Sequence, residues 1–90
     1  MLIKYFATFR DVTGELFLKL ADSPENVAEL LELLSLSYGP AFRKAVFEGQ
    51  DLSPLLILLV NGRNVRLTGG LSTALNPNDE VSVFPVVGGG

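Results

Sequence analysis

Asp79-Glu80-Val81-Ser82-Val83-Phe84-Pro85-Val86-Val87-Gly88-Gly89-Gly90 closes the sequence, and its reading decides the rest. Val81 and Val83 alternate with Ser82 and Phe84, the period of a strand with one face on a core and Phe84 on the other. Asn76-Pro77-Asn78-Asp79 ahead of it is turn chemistry. Three glycines then follow Pro85-Val86-Val87. Glycine is the residue most costly to order and has no side chain to bury. Read alone, the glycines fit a frayed end. They also fit a chain terminus that acts chemically: without Cβ atoms it can thread a narrow channel, and its carboxylate becomes electrophilic once joined to a leaving group.

Working back from this strand, Leu55-Leu56-Ile57-Leu58-Leu59-Val60 is the most apolar run. Bounded by Pro54 and Asn61-Gly62, it reads as a strand buried on both faces. Asn61-Gly62 is a strong two-residue hairpin signal, so a short strand over residues 64–67 should fold back before Gly69-Gly70 breaks it. Leu71 and Leu75 then pin an irregular loop. Upstream, Val27, Leu30, Leu31 and Leu34 lie at i, i+3, i+4 and i+7, the apolar stripe of a helix, with Glu25, Glu29 and Glu32 on the wet side. Ser23-Pro24-Glu25 reads as its start and Gly39-Pro40 as its stop. Residues 41–47 suggest a further short helix or turn.

At the front of the chain, residues 2–10 are rich in Ile, Tyr and Phe and read as a first strand. Asp11-Val12-Thr13-Gly14 reads as a hairpin loop with Gly14 at a positive φ. Residues 15–20 follow as a second strand, with Leu16, Leu18 and Leu20 directed to the core. The order is ββαβ(β)β: an α+β domain, one mixed sheet on one main helix. The helical crossover makes parallel pairing of the last strand beside the first reachable.

Composition narrows the chemistry. The 90 residues are 48% apolar and 19% charged, enough for one small core and no more. Cys, His and Trp are absent. Thiol catalysis, a histidine base, and thiolate or imidazole metal sites are thereby removed, and no catalytic side-chain constellation is recognisable among the rest. The net charge is −3 and the seven Lys and Arg are scattered, so nucleic acid is not the expected partner. No apolar run approaches a membrane span, the first residues lack the pattern of a signal peptide, and a cytoplasmic protein is expected.

Three stretches resemble a known family, the β-grasp, ubiquitin-like sulfur carriers, above all the small subunit of molybdopterin synthase (the MoaD type). They are Tyr5-Phe6-Ala7-Thr8-Phe9-Arg10-Asp11-Val12-Thr13-Gly14, Val60-Asn61-Gly62-Arg63-Asn64, and the closing segment from Asp79 to Gly90. The last is the specific one. Two departures stand beside it: Pro85-Val86 where the family often has Pro-Pro, and Gly88 where a small residue such as Ala or Ser commonly precedes Gly-Gly. The resemblance implies a β-grasp domain over residues 1–85 and a flexible reactive tail over residues 86–90. It implies that a ubiquitin-activating-type enzyme adenylates the Gly90 carboxylate, with Gly89 beside it, and that a sulfur donor enzyme converts Gly90 to a thiocarboxylate. ATP and Mg²⁺ belong to that activating enzyme, and this chain is expected to bind no cofactor or metal of its own. The tail would then enter the large subunit of molybdopterin synthase and donate sulfur to the pterin precursor.

Partner contacts are expected at Phe6, Phe84, Pro85, Val86, Val87 and Gly88, with Arg10 and Arg63 as lesser candidates for acidic partner groups. Tyr5 and Tyr38 are expected to pack with wet hydroxyls. The same tail and fold serve three other readings: a carrier for tRNA thiolation or related sulfur chemistry, a protein modifier joined through Gly90 to lysines, and a plain interaction domain with an inert glycine end.

Overall fold

A computed structural model describes residues 1–86. Its elements run β1 (Leu2–Tyr5), α1 (Thr8–Thr13), β2 (Phe17–Lys19), α2 (Val27–Tyr38), α3 (Pro40–Val46), β3 (Phe47–Glu48), β4 (Asp51–Leu52), β5 (Leu56–Val60), β6 (Arg63–Asn64) and β7 (Glu80–Pro85). Five strands form one mixed sheet in the order β2-β1-β7-β5-β6, while β3 and β4 make a separate small hairpin. β7 lies at the centre, parallel to β1 and antiparallel to β5. This is the expected α+β, β-grasp arrangement, including the parallel pairing of first and last strands.

One face of the sheet carries the core. Ile3 and Tyr5 from β1, Val81 and Val83 from β7, and Leu56 and Leu58 from β5 are buried. Val27, Leu30, Leu31 and Leu34 of α2 close over them, so the helical stripe read from the sequence is the face that meets the sheet. Phe9 of α1 and Phe42 and Val46 of α3 complete the cluster. Among the described residues no helix contributes to a core on the opposite sheet face, which corrects the reading of residues 55–60. Ile57 and Leu59 are half-buried, and Leu55 precedes the strand, 67% exposed.

The front of the chain differs most from expectation. The first strand ends at Tyr5, and residues 8–13 are helical. Phe6 C=O accepts from Phe9 N–H (3.1 Å) in a tight turn with Ala7 at φ 51°, ψ −129°, the first central position of a type II′ turn. Gly14 is at φ 73°, not as a hairpin turn but as the left-handed cap of α1, donating its N–H to Arg10 C=O (2.8 Å). Leu16 therefore lies off the core, 63% exposed, while Leu18 and Leu20 pack against it.

Helix α2 begins at Val27, capped by Asn26, whose Oδ1 accepts from Glu29 N–H (2.9 Å). Ser23 is not its cap, because the chain just before the helix is held extended by a bridge between Asn26 and Ala74 and a bond from Leu75 N–H to Glu25 C=O (3.0 Å). The hairpin at Asn61-Gly62 is present, with φ 52° and 83°. Its return strand is Arg63–Asn64, and Val65–Leu67 is a 3₁₀ turn that buries Val65. Asn61 also locks the start of β7: its Nδ2 donates to Asp79 Oδ1 (2.8 Å) and its Oδ1 accepts from Glu80 N–H (2.9 Å). Tyr5 is fully buried, and its hydroxyl donates to that of Tyr38 (3.0 Å), which correct the expectation of a wet Tyr5 hydroxyl. No helix of the described residues is long and apolar enough to cross a membrane.

Candidate functional site

The central strand β7 carries the chain out of the sheet. Its pairing with β5 continues to Pro85 opposite Leu56, and beyond it Val86 N–H donates to Leu55 C=O (2.8 Å). Main-chain groups of Val83 face β1, as the bond from Phe6 N–H to Val83 C=O shows (3.1 Å). Pro85, two residues on, presents its missing N–H to the same side. There β1 has already ended at Tyr5, so proline removes no ladder bond.

Phe84 stands on the open face of the sheet. The Phe6 ring stacks on it, centroids 4.3 Å apart and planes within 7° of parallel. This is the neighbour relation expected for Phe6 and Phe84, and it follows from the parallel β1–β7 pair. Arg10 comes to the same place for a reason the sequence reading missed. The turn at Ala7 and the first turn of α1 return its guanidinium over Phe6, 5.6 Å from the ring centroid, while its Nε donates to Tyr5 C=O (3.0 Å). Arg10, Phe6 and Phe84 thus form a layered stack, with the cation on the quadrupolar face of the aromatic. Arg63 lies apart, exposed on β6.

Leu55 and Val86 add exposed apolar surface at the strand's exit, Val86 at 40%. Leu55 was not singled out in the sequence. Its signal is an apolar residue directly after Pro54 and just ahead of the strand. Val87, Gly88, Gly89 and Gly90 lie outside the described residues. Among the described residues no cluster of three Asp or Glu side chains comes together in a form that could hold a metal ion.

What this arrangement can do is present: the sheet centre holds one strand, flanked by an aromatic stack, just ahead of the glycine-rich sequence. The fold is that of a ubiquitin-like, β-grasp domain. The model of the ThiS family matches residues 3–90, and the chain belongs to the ThiS family, ubiquitin-like sulfur carriers and modifiers. It is 36% identical over 89 residues to small archaeal modifier protein 3 of Haloferax volcanii, covering 98% of this chain and 96% of that one. It is 44% identical over 64 residues to a protein of Archaeoglobus fulgidus provisionally named a sulfur carrier protein, covering 71% of this chain and 73% of that one. Among solved structures it is similar to small archaeal modifier protein 1 of Methanosarcina acetivorans, with a TM-score of 0.84 and 34% identity, covering 99% of this chain and 94% of that one.

Proposed function

We propose that the chain is a sulfur carrier whose reactive atom is the Gly90 carboxylate, with Gly89 giving the backbone room to approach an active site. The observation that carries this is the position of β7: the central strand of the sheet runs through Phe84 and Pro85 to Val86, and in sequence Val87-Gly88-Gly89-Gly90 follows at once. A ubiquitin-activating-type enzyme, using its own ATP and Mg²⁺, joins the carboxylate oxygen to AMP and releases pyrophosphate. The persulfide of a sulfur donor enzyme then attacks the acyl carbon and expels AMP. Cleavage of the resulting acyl disulfide by a thiol leaves the thiocarboxylate and a donor disulfide. Phe6, Phe84, Pro85 and Val86, with Val87 and Gly88, form the surface that the partners grip. The acceptor in this reading is the pterin precursor held by the large subunit of molybdopterin synthase.

A second acceptor is favoured by the full-length similarity to a small archaeal modifier protein: lysines of other proteins, joined to Gly90 by an isopeptide bond. A third is tRNA thiolation, served by the same thiocarboxylate.

Intact-mass measurement after incubation with the cognate activating enzyme, ATP, Mg²⁺ and a persulfide source should show one oxygen replaced by sulfur. Removing Gly89 and Gly90 should abolish that shift and leave the unfolding midpoint unchanged, since chain ends contribute little burial. An unchanged mass for the intact chain, or a large loss of stability on the deletion, overturns the proposal. Gly90 remnants on cellular lysines mark the modifier, and sulfur transfer to the pterin precursor by a reconstituted synthase marks the first reading.

A further inference from the structure

Among the described residues the five-stranded sheet has an open edge at β2, which pairs with β1 alone. In this antiparallel pair Tyr5 N–H donates to Leu16 C=O (2.9 Å) and Leu20 N–H donates to Met1 C=O (2.8 Å). Main-chain groups of even-numbered residues therefore face β1. Those of Phe17 and Lys19 point outward, as an unfilled ladder.

A trough runs beside this edge. One part, of about 430 Å³, is lined by Lys4, Arg10 and Lys19 together with Phe6, Leu16 and Phe17. A second, of about 450 Å³, continues it and shares Leu2 and Lys19. Among the described residues no Asp or Glu lines either part. Three of the seven Lys and Arg thus gather on one rim of a chain with net charge −3. Lys4 is ion-paired with Glu80 on β7, and Arg10 is held over Phe6, while Lys19 stands exposed on the edge strand itself. Leu16 and Phe17, 63% and 53% exposed, are among the largest apolar side chains left to water.

We infer that the β2 edge is a docking strand for an acidic, extended segment of a partner protein. The segment adds beside Phe17–Lys19 as a sixth strand, its main chain completing the outward hydrogen bonds. Alternate apolar side chains lie on one face of the added strand against Leu16, and its carboxylates, on the other face, meet Lys19 and Arg10 beside Phe17. Charge selects this occupant over a second copy of the chain, because pairing two β2 edges brings two positive troughs together.

The test titrates the full chain, labelled with ¹⁵N, with a capped peptide of alternating Val and Glu, and with the same peptide carrying Lys for Glu. The expected result is binding of the acidic peptide alone, with shifts and slowed hydrogen exchange at the Phe17 and Lys19 amides. Lys19→Glu, its fold checked by an unchanged unfolding midpoint, should weaken that binding about tenfold, the ratio that ~1.4 kcal/mol represents. No binding of the acidic peptide, equal binding of both peptides, shifts confined to the Phe84 and Ile57 region, or self-association through β2 in place of peptide binding would each overturn it.

Discussion

Ala7 carries the sharpest conflict between backbone and side chain. At φ 51°, ψ −129° it occupies a turn position that suits glycine, and no hydrogen bond from its own side chain compensates. Strain of this kind costs on the order of 1–3 kcal/mol, and the extra freedom of an unfolded glycine offsets roughly 0.5–1 kcal/mol of any relief. Ala7→Gly should therefore stabilise the domain by about 1 kcal/mol, raising the midpoint by about 4–8 °C in a chain of this size. Thermal unfolding measures it, and a lower midpoint would mean that the turn is not strained. The same residue explains why α1 was hidden. An alanine does not announce a type II′ turn, so Phe6, Phe9 and the aromatic residues around them read as one continuous strand, and Gly14 was assigned to a loop rather than to a helix cap.

Helix α2 shows what an element owes to its neighbours. Its apolar stripe was legible because 3.6-residue periodicity is a property of the chain itself. Its first residue was not. The sequence points to Ser23 as its start, and the structure gives that place to Asn26, which has the same capping chemistry. The bridge to Ala74 and the Leu75–Glu25 bond hold the preceding chain extended and give the role to Asn26. Asn26→Ala should cost about 1 kcal/mol in urea unfolding, whereas Ser23→Ala should stay within about 0.5 kcal/mol. A reversal of that order would restore the earlier start. The strand Leu56–Val60 teaches the converse: the six-residue apolar run over residues 55–60 marks it plainly, yet nothing in the run says which of its faces a helix will cover.

Across the molecule, Tyr5 joins the sheet to the helices. Its ring meets Tyr38 and Phe42 edge-on, and its hydroxyl donates to the Tyr38 hydroxyl, which in turn donates to Glu15 Oε1 (3.3 Å). Burial, with the Tyr38 hydrogen bond adding to it, pushes the Tyr5 phenol far above its ordinary value, and burial raises Tyr38 as well. A folded-state pKa raised above the unfolded one stabilises the protein as long as the group stays protonated. That contribution is complete below the ordinary tyrosine value of about 10 and is lost as pH rises above it. Stability should thus be insensitive to these groups through neutral pH and fall steeply above about pH 10. Tyr5→Phe should flatten the alkaline fall while costing about 1 kcal/mol near neutrality for the lost hydrogen bond. Denaturant midpoints measured across the alkaline range decide this, and an unchanged fall in the variant would assign it to other groups.

The sequence by itself determined the α+β class, the order of the long elements, the helix stripe, the Asn61-Gly62 hairpin, and the outward Phe84 leading toward the closing glycines. Each of these is written in local periodicity or in the conformational preferences of two or three adjacent residues. Tertiary structure alone decided that Tyr5 is sealed, that Asn26 rather than Ser23 begins α2, that Arg10 lies over the Phe6–Phe84 stack, and that β2 is left as an open, positive edge. Those outcomes depend on which segments meet across long stretches of intervening chain. A contact between distant residues leaves no mark on the identity of either one.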